Sequence, residues 1–269
     1  MLKAIETRTS VRSYLKTPLS KEDQNAVKAI LEKTNNKKGP FGNQATFFFV
    51  DQNVGDGEKI GTYGFIKHPP HFIGGVIQNQ FKAMVDFGFL FESIILKLTE
   101  RGLGTVWLGG TFKRDQFDIP TLNDEIIPCV SPVGYNAKKS IREHIIRKLA
   151  NANTRKPFNE LFFYNKTKDA LPKTHSFRDY LEALRRAPSA SNKQPWRVIV
   201  DGALCHVYLE RTPGYAKGLP FDIQAVDIGI AVNHLVLSAL ADQKTVKYHF
   251  NKPYDLHDTE YVLSIEIST

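Results

Sequence analysis

Cysteine is scarce in this chain: only Cys129 and Cys205 occur among 269 residues. Two cysteines cannot build a disulfide framework and lack the paired spacing of a structural zinc site, so both are expected to be buried thiols. Long apolar runs are also missing. Phe87-Gly88-Phe89-Leu90-Phe91 is cut by Glu92, and the segment after it reaches only Lys97. That is far short of the roughly 18 apolar residues that span a bilayer, so no transmembrane helix is expected. The first residues, Met1 to Arg8, have no apolar signal core and already carry Glu6, which makes a cytoplasmic location the expectation. Acidic residues are outnumbered by basic ones, 28 against 36, for a net charge of +8. The bases are scattered in doublets such as Lys37-Lys38, Lys138-Lys139 and Arg185-Arg186, with no basic arm. That distribution argues against nucleic acid and for a modest positive field around a small anionic ligand. His68, His71, His144 and His234 show no metal-ligand spacing, and no metal site is expected.

What is present suits a globular protein, with 42% hydrophobic, 11% aromatic and 24% charged residues. The chain also carries a weak, ordered self-similarity. Ser10, Arg12, Tyr14 and Leu15 recur as Ser176, Arg178, Tyr180 and Leu181, 166 positions later. Asp86-Phe87-Gly88 and Asp227-Ile228-Gly229 each open an apolar helical run, 141 positions apart, and Thr105-Val106 and Thr245-Val246 follow, 140 apart. Three collinear matches with a shrinking offset read as a duplication whose second copy has lost about 25 residues. Periodicity and caps predict helices at 21–33, 82–101, 176–185 and 222–241, with Ser20 as an N-cap and Gly102 as a stop. Strands are predicted at 45–50, 72–77, 105–108, 126–133, 197–200, 206–210, 246–250 and 262–267. The class is α+β, with two copies, 1–165 and 173–269, facing each other across a shared interface. Asp86 and Asp227 are expected to complement the dipoles of the helices they open, and Trp107 and Trp196 to be packing residues.

Three segments concentrate ligand chemistry. Arg8-Thr9-Ser10-Val11-Arg12 puts two forked guanidiniums and two hydroxyls in five positions, suited to a phosphate or to polar ring edges; taken alone it reads first as a solvated basic turn. Ala187-Pro188-Ser189-Ala190-Ser191-Asn192-Lys193-Gln194-Pro195-Trp196 is a small, polar loop that lets backbone approach a flat ligand, or a plain helix-to-strand connection. Gly102-Leu103-Gly104-Thr105-Val106-Trp107-Leu108-Gly109-Gly110 frames a strand with glycines, unlike a dinucleotide fingerprint, in which the strand comes before the glycines.

Together, Arg-x-Ser-x-Arg, Ala-Pro-Ser-x-x-Asn-x-Gln-Pro-Trp and Gly-Leu-Gly-x-x-Trp-x-Gly-Gly resemble the FMN-dependent nitroreductase superfamily. The chain is most similar to its tandem subfamily, in which both halves of the usual homodimer lie in one polypeptide. The resemblance implies a nitroreductase-like fold and FMN as cofactor, with Arg8, Thr9, Ser10 and Arg12 at its phosphate and polar ring edge. Arg155 and Lys156 would face the phosphate too, Leu108, Gly109 and Gly110 would present backbone to the flavin edge, and Pro188, Ser189, Ala190 and Asn192 would come from the other half. It further implies hydride transfer from NADH or NADPH to nitroaromatics, quinones or other flat acceptors by a ping-pong scheme. The alternatives are an FMN storage or sensing protein without turnover, or other flavin chemistry. Since the flavin performs the transfer, no catalytic side chain is assigned. Tyr63-Gly64-Phe65-Ile66-Lys67 is a candidate border of the substrate face.

Each half keeps what the other has lost. The second copy has Thr174 at the Arg8 position, aligns His249-Phe250 with Gly109-Gly110 and shows no second Arg-Lys-Pro, while the first copy's Gly39-Pro40-Phe41-Gly42-Asn43-Gln44 lacks the serines and the Pro-Trp. One composite site per chain is therefore expected, in a monomeric pseudo-dimer, with the symmetry-related site dead. The lost residues fall between Arg178 and Asp227, so the substrate face is expected to be opened rather than sealed.

Overall fold

The computed structural model of the protein describes residues 1–51, 66–137, 154–165, 169–172 and 174–268. Tyr63 to Phe65, Lys138-Lys139 and His144 lie outside these. A short helix α1 (Leu2–Thr7) is followed by α2 (Lys21–Asn35), which starts where expected because the Ser20 hydroxyl accepts the Asp23 N–H at 3.1 Å. Strands β1 (Thr46–Asp51) and β2 (His71–Gln78) pair antiparallel, and α3 (Phe81–Glu100) follows. Its end is set by Gly102, whose φ of +76 suits glycine. The strand expected at 105–108 shortens to β3 (Gly104–Thr105) with a bridge at Leu108, and that expected at 126–133 splits into β4 (Glu125–Ile126) and β5 (Val130–Gly134). These strands make the first sheet, in the order β1-β2-β5-β3 with β4 on β2.

A second sheet repeats the plan. After α4 (Phe158–Leu161), β6 (Phe162–Tyr164) and β7 (Asp169–Ala170) come α5 (Arg178–Arg185), β8 (Trp196–Asp201), β9 (Leu204–Leu209), α6 (Ile223–Ala241), β10 (Thr245–His249) and β11 (Glu260–Ser268). The strand order is β10-β11-β9-β8-β6-β7, and the pairings are antiparallel except β6 on β8. Strand β6, on the first-copy side of the expected boundary, thus completes the second sheet. Between the sheets α3 packs on α6, and one cluster of buried side chains runs through both halves. Helix α6 is long and apolar enough to cross a membrane, with a mean hydropathy of 1.6, but 83% of that stretch is buried inside the protein. It is a core helix, capped by the Asp222 carboxylate on the Gln224 and Ala225 N–H groups at 3.1 Å.

The register of the repeat differs from one sequence match. Ser10 to Tyr14 is extended, bridging Thr105, Lys67 and Asn136, whereas Arg178 opens helix α5. Helix α2 precedes the β1–β2 hairpin as α5 precedes the β8–β9 hairpin, so α5 corresponds to α2, and the Ser/Arg/Tyr/Leu similarity joins residues in different structures. The 141 offset is structural. It carries through the helix ends, where Gly102 and Gln243 both have positive φ, and where Leu103 N–H donates to the Leu98 carbonyl as Lys244 N–H does to that of Ala239. It sets Phe250 opposite Gly109, one residue from the expected alignment.

The shortening also lies elsewhere than its expected effect. Between β8 and β9 only Gly202 and Ala203 intervene, where the first copy runs from Asp51 to His71. The connection that is long in the second copy, from Glu210 to Asp222, replaces Asn79 and Gln80 of the first.

Candidate functional site

A cavity of about 450 Å³ opens between the halves. Of the anticipated residues it is lined by Arg8, Ser10, Arg12, Leu108, Gly109, Gly110, Arg155, Pro188, Ser189, Ala190 and Asn192. Thr9 and Lys156 do not line it. Thr9 is exposed, because Ser10 bridges Thr105 and turns its neighbour outward. Lys156 is fixed alongside, its N–H donating to Gln194 Oε1 at 2.8 Å and its carbonyl accepting from Arg185 Nε at 2.9 Å.

The polar loop is built by its own hydrogen bonds. Gln194 N–H donates to Ser189 Oγ and Ala190 N–H to Asp227 Oδ1, both at 2.9 Å, while Ser191, Asn192 and Gln194 all take positive φ. Such backbone is rare for residues with a side chain and persists only where surroundings over-determine it. Asn192 Nδ2 donates to the Thr154 carbonyl at 3.0 Å, which ties the loop to the segment bearing Arg155. On the opposite wall Arg114 holds the glycine strand end, donating to the carbonyls of Gly109, Ile127 and Pro128 at 2.5, 2.9 and 3.0 Å.

Charge is concentrated on one part of the lining. Burial first, and then the neighbouring Arg8, Arg185 and Arg186, bring the Arg155 guanidinium down to about 10. Like charges this close oppose one another, and an anion between them removes the penalty. Another part of the lining is apolar, made by Val106, Leu108, Leu219, Ile223, Val226 and Ile230, and the Asp227 carboxyl also reaches the cavity. Cys129 also reaches it, buried as expected like Cys205, whose thiol burial pushes up to about 12.

Three features escaped the sequence. Asp86 and Asp227 lie within their helices, beyond the first turn where the dipole acts, and are almost fully buried. They brace loops instead: Asp86 accepts the N–H groups of Phe41 (2.9 Å) and Asn43 (2.8 Å), and Asp227 that of Ala190. Burial pushes both carboxyls above their usual range. Trp107 lines the cavity besides packing edge-on against Phe91, while Trp196 is wholly buried. Finally Tyr215, Ala216 and Leu219 of the long β9–α6 connection join the lining, with Tyr215 donating to Ser191 Oγ at 3.0 Å. The cavity is therefore narrowed by the long β9–α6 connection, a strap across it, where a deletion was expected to leave it more open.

The symmetry-related position differs. Opposite Gly109 stands Phe250, whose ring stacks on Phe41 of the first-copy loop at 4.9 Å. Two aromatic rings occupy the space that glycine and a small polar loop leave free on the other side. Arg178, the residue matched to Arg12 in sequence, pairs with Glu182 (3.8 Å) and stacks on Phe158 (4.2 Å).

Residues 1–239 match the family described as "Putative TM nitroreductase". No curated protein matches the chain. Among solved structures it is similar to a "putative nitroreductase" from Thermotoga maritima, 21% identical, over 99% of this chain and 93% of that one, with a TM-score of 0.62. A nitroreductase with bound FMN from Bacteroides fragilis, 19% identical, aligns with 52% of this chain and 90% of its own, with a TM-score of 0.40. The first likeness extends over both sheets and the α3–α6 pair, and the family match spans the polar loop, the glycine-framed strand and the arginines of the cavity: the chain belongs to this family of nitroreductases, with the nitroreductase fold built as a pseudo-dimer.

Proposed function

We propose that the chain binds one FMN in this cavity and passes electrons from NADH or NADPH to a nitroaromatic, quinone or similar flat acceptor. The observation that carries the reading is the meeting of Arg8 with Arg155 beside an apolar wall supplied by both halves. A phosphate near −2 suits that guanidinium cluster, and a flat ring system suits the wall of Leu108, Ile223, Val226 and Ile230. Arg8, Arg12 and Arg155 hold the phosphate and polar edge. Gly109 and Gly110 let the ring approach the strand end, and Ser189, Ala190 and Asn192 meet it from the other half. Thr9 and Lys156 support this set from outside the cavity. When bound, the flavin accepts hydride at its ring and returns electrons to the acceptor.

The two halves, 1–165 and 173–269, are read as a tandem duplication, with β6 crossing to complete the second sheet as an exchanged arm. The site is then shared within one chain, which acts as a monomer in the cytoplasm. Tyr215 and Leu219 of the strap border the face left for nicotinamide and acceptor, which use it in turn. The test is anaerobic stopped-flow reduction. Bleaching of the bound flavin by NADH or NADPH, followed by reoxidation with a quinone or nitroaromatic, supports the reading. A flavin reduced by dithionite but not by either nucleotide makes the chain a flavin-binding protein without turnover.

A further inference from the structure

Glu92 is fully buried in the middle of α3, in the apolar run that it interrupts. A carboxylate there is costly unless several donors converge on it. Three do. Trp107 Nε1 donates to Oε2 at 2.8 Å, His234 Nε2 lies 2.8 Å from Oε1, and Arg8 Nε lies 3.9 Å from Oε1. His234 is itself fully buried, and its Nδ1 faces the Ala183 carbonyl at 3.1 Å. A carbonyl only accepts, so Nδ1 carries a proton and a second proton lies between Nε2 and Oε1. Of the three partners, Arg8 and Trp107 line the cavity, while His234 stands behind the carboxylate.

The internal two-fold supplies a control. With the 141 offset, Glu92 corresponds to Asn233 and His234 to Ser93. Asn233 Nδ2 donates to Ser93 Oγ at 2.7 Å and to the Phe89 carbonyl at 2.9 Å. The same two helix positions therefore hold a charged network beside the open cavity and a neutral amide–hydroxyl pair on the side where Phe41 and Phe250 stack. Helix packing alone asks for no such difference.

We propose that Glu92 is a positioning residue: braced by His234, it fixes the Arg8 guanidinium and the Trp107 indole in the cavity wall, toward the anionic cofactor. This rests on the flavin reading, but its test does not depend wholly on that reading. Glu92→Gln keeps the shape and one acceptor while removing the carboxyl group that faces Arg8. Asn233→Ala perturbs the matched position of the same helix pair. In the protein without flavin, labelled with ¹⁵N-arginine and with the Arg8 signal assigned through Arg8→Lys, the Arg8 Nε–H of Glu92→Gln should exchange with solvent about tenfold faster. FMN affinity, read by quenching of its fluorescence, should fall about tenfold. Asn233→Ala should move neither. If Glu92→Gln does not fold, His234→Gln removes the brace and should speed the same exchange. Unchanged exchange in the folded variant overturns the proposal, as does FMN binding that is unchanged or tighter. A wild-type chain that binds no FMN sinks the flavin reading, and the exchange measurement still decides the role of Glu92.

Discussion

Gly88 and Gly229 are partners in one contact made twice. A methyl group at Gly88 would strike the Val226 carbonyl, and one at Gly229 the Val85 carbonyl, so the two backbones touch where side chains would hold them apart. Glycine 88 matches 229 and valine 85 matches 226 at one offset, which is the self-complementary pattern of a two-fold interface, here within a single chain. That axis runs between the cavity and its aromatic-filled counterpart, so the function of one side can be tested against the other.

Replacing either glycine by alanine should therefore cost similar stability, about 2–3 kcal/mol, because backbone and not a flexible side chain must move. Urea unfolding measures it. A neutral effect at either position would contradict the close helix pair.

Arg8→Ala and Arg155→Ala should each weaken FMN binding about ten- to a hundredfold, since each removes charge-assisted hydrogen bonds. Arg178→Ala, which breaks only the Glu182 pair and the Phe158 stack, should leave the Kd within about twofold. Release of flavin by Arg178→Ala alone would mean that the open and filled sides have been exchanged.

The counterpart positions allow a swap. Gly109→Phe puts the side chain of Phe250 into the cavity, against Ile223 on the facing helix, and should abolish detectable FMN binding. Phe250→Gly, half exposed and outside the cavity, should leave the affinity of the open site as it was. Equilibrium dialysis of both variants checks the pair.

Much of this could be read from the residues, and the failures are instructive. The helix ends were legible because Ser20 and Gly102 act on neighbours in sequence, and eleven of thirteen anticipated site residues line the cavity because short motifs fix their own loops. The sequence match of Arg12 with Arg178 fails in the structure because four similar residues say nothing of the conformation they adopt. The bracing role of Asp86 and Asp227 is not legible in the sequence because their partners, Phe41, Asn43 and Ala190, lie some 40 residues away. The strap went unseen as a wall, since nothing in Tyr215 or Leu219 states what they face.

Burial pushes Asp227 well above the ordinary carboxylate range, so the folded state favours its protonated form. A raised folded value gives stability that is full below the unfolded value and is lost as pH rises through the folded one. Asp227→Asn keeps an acceptor for Ala190 N–H and removes the titration. Its stability relative to the wild type should therefore rise with increasing pH across the interval above the usual carboxylate value. Parallel thermal scans from acid to neutral pH test this, and a difference that stays flat, or falls with rising pH, would contradict it.

The most direct measurement is the flavin stoichiometry of the intact chain. Titration of the flavin-free protein with FMN, followed by fluorescence quenching and confirmed by the absorbance retained after gel filtration, should saturate at one FMN per polypeptide. Two per chain would show that the side holding Phe41 and Phe250 is a working site, and none would remove the flavin from the account.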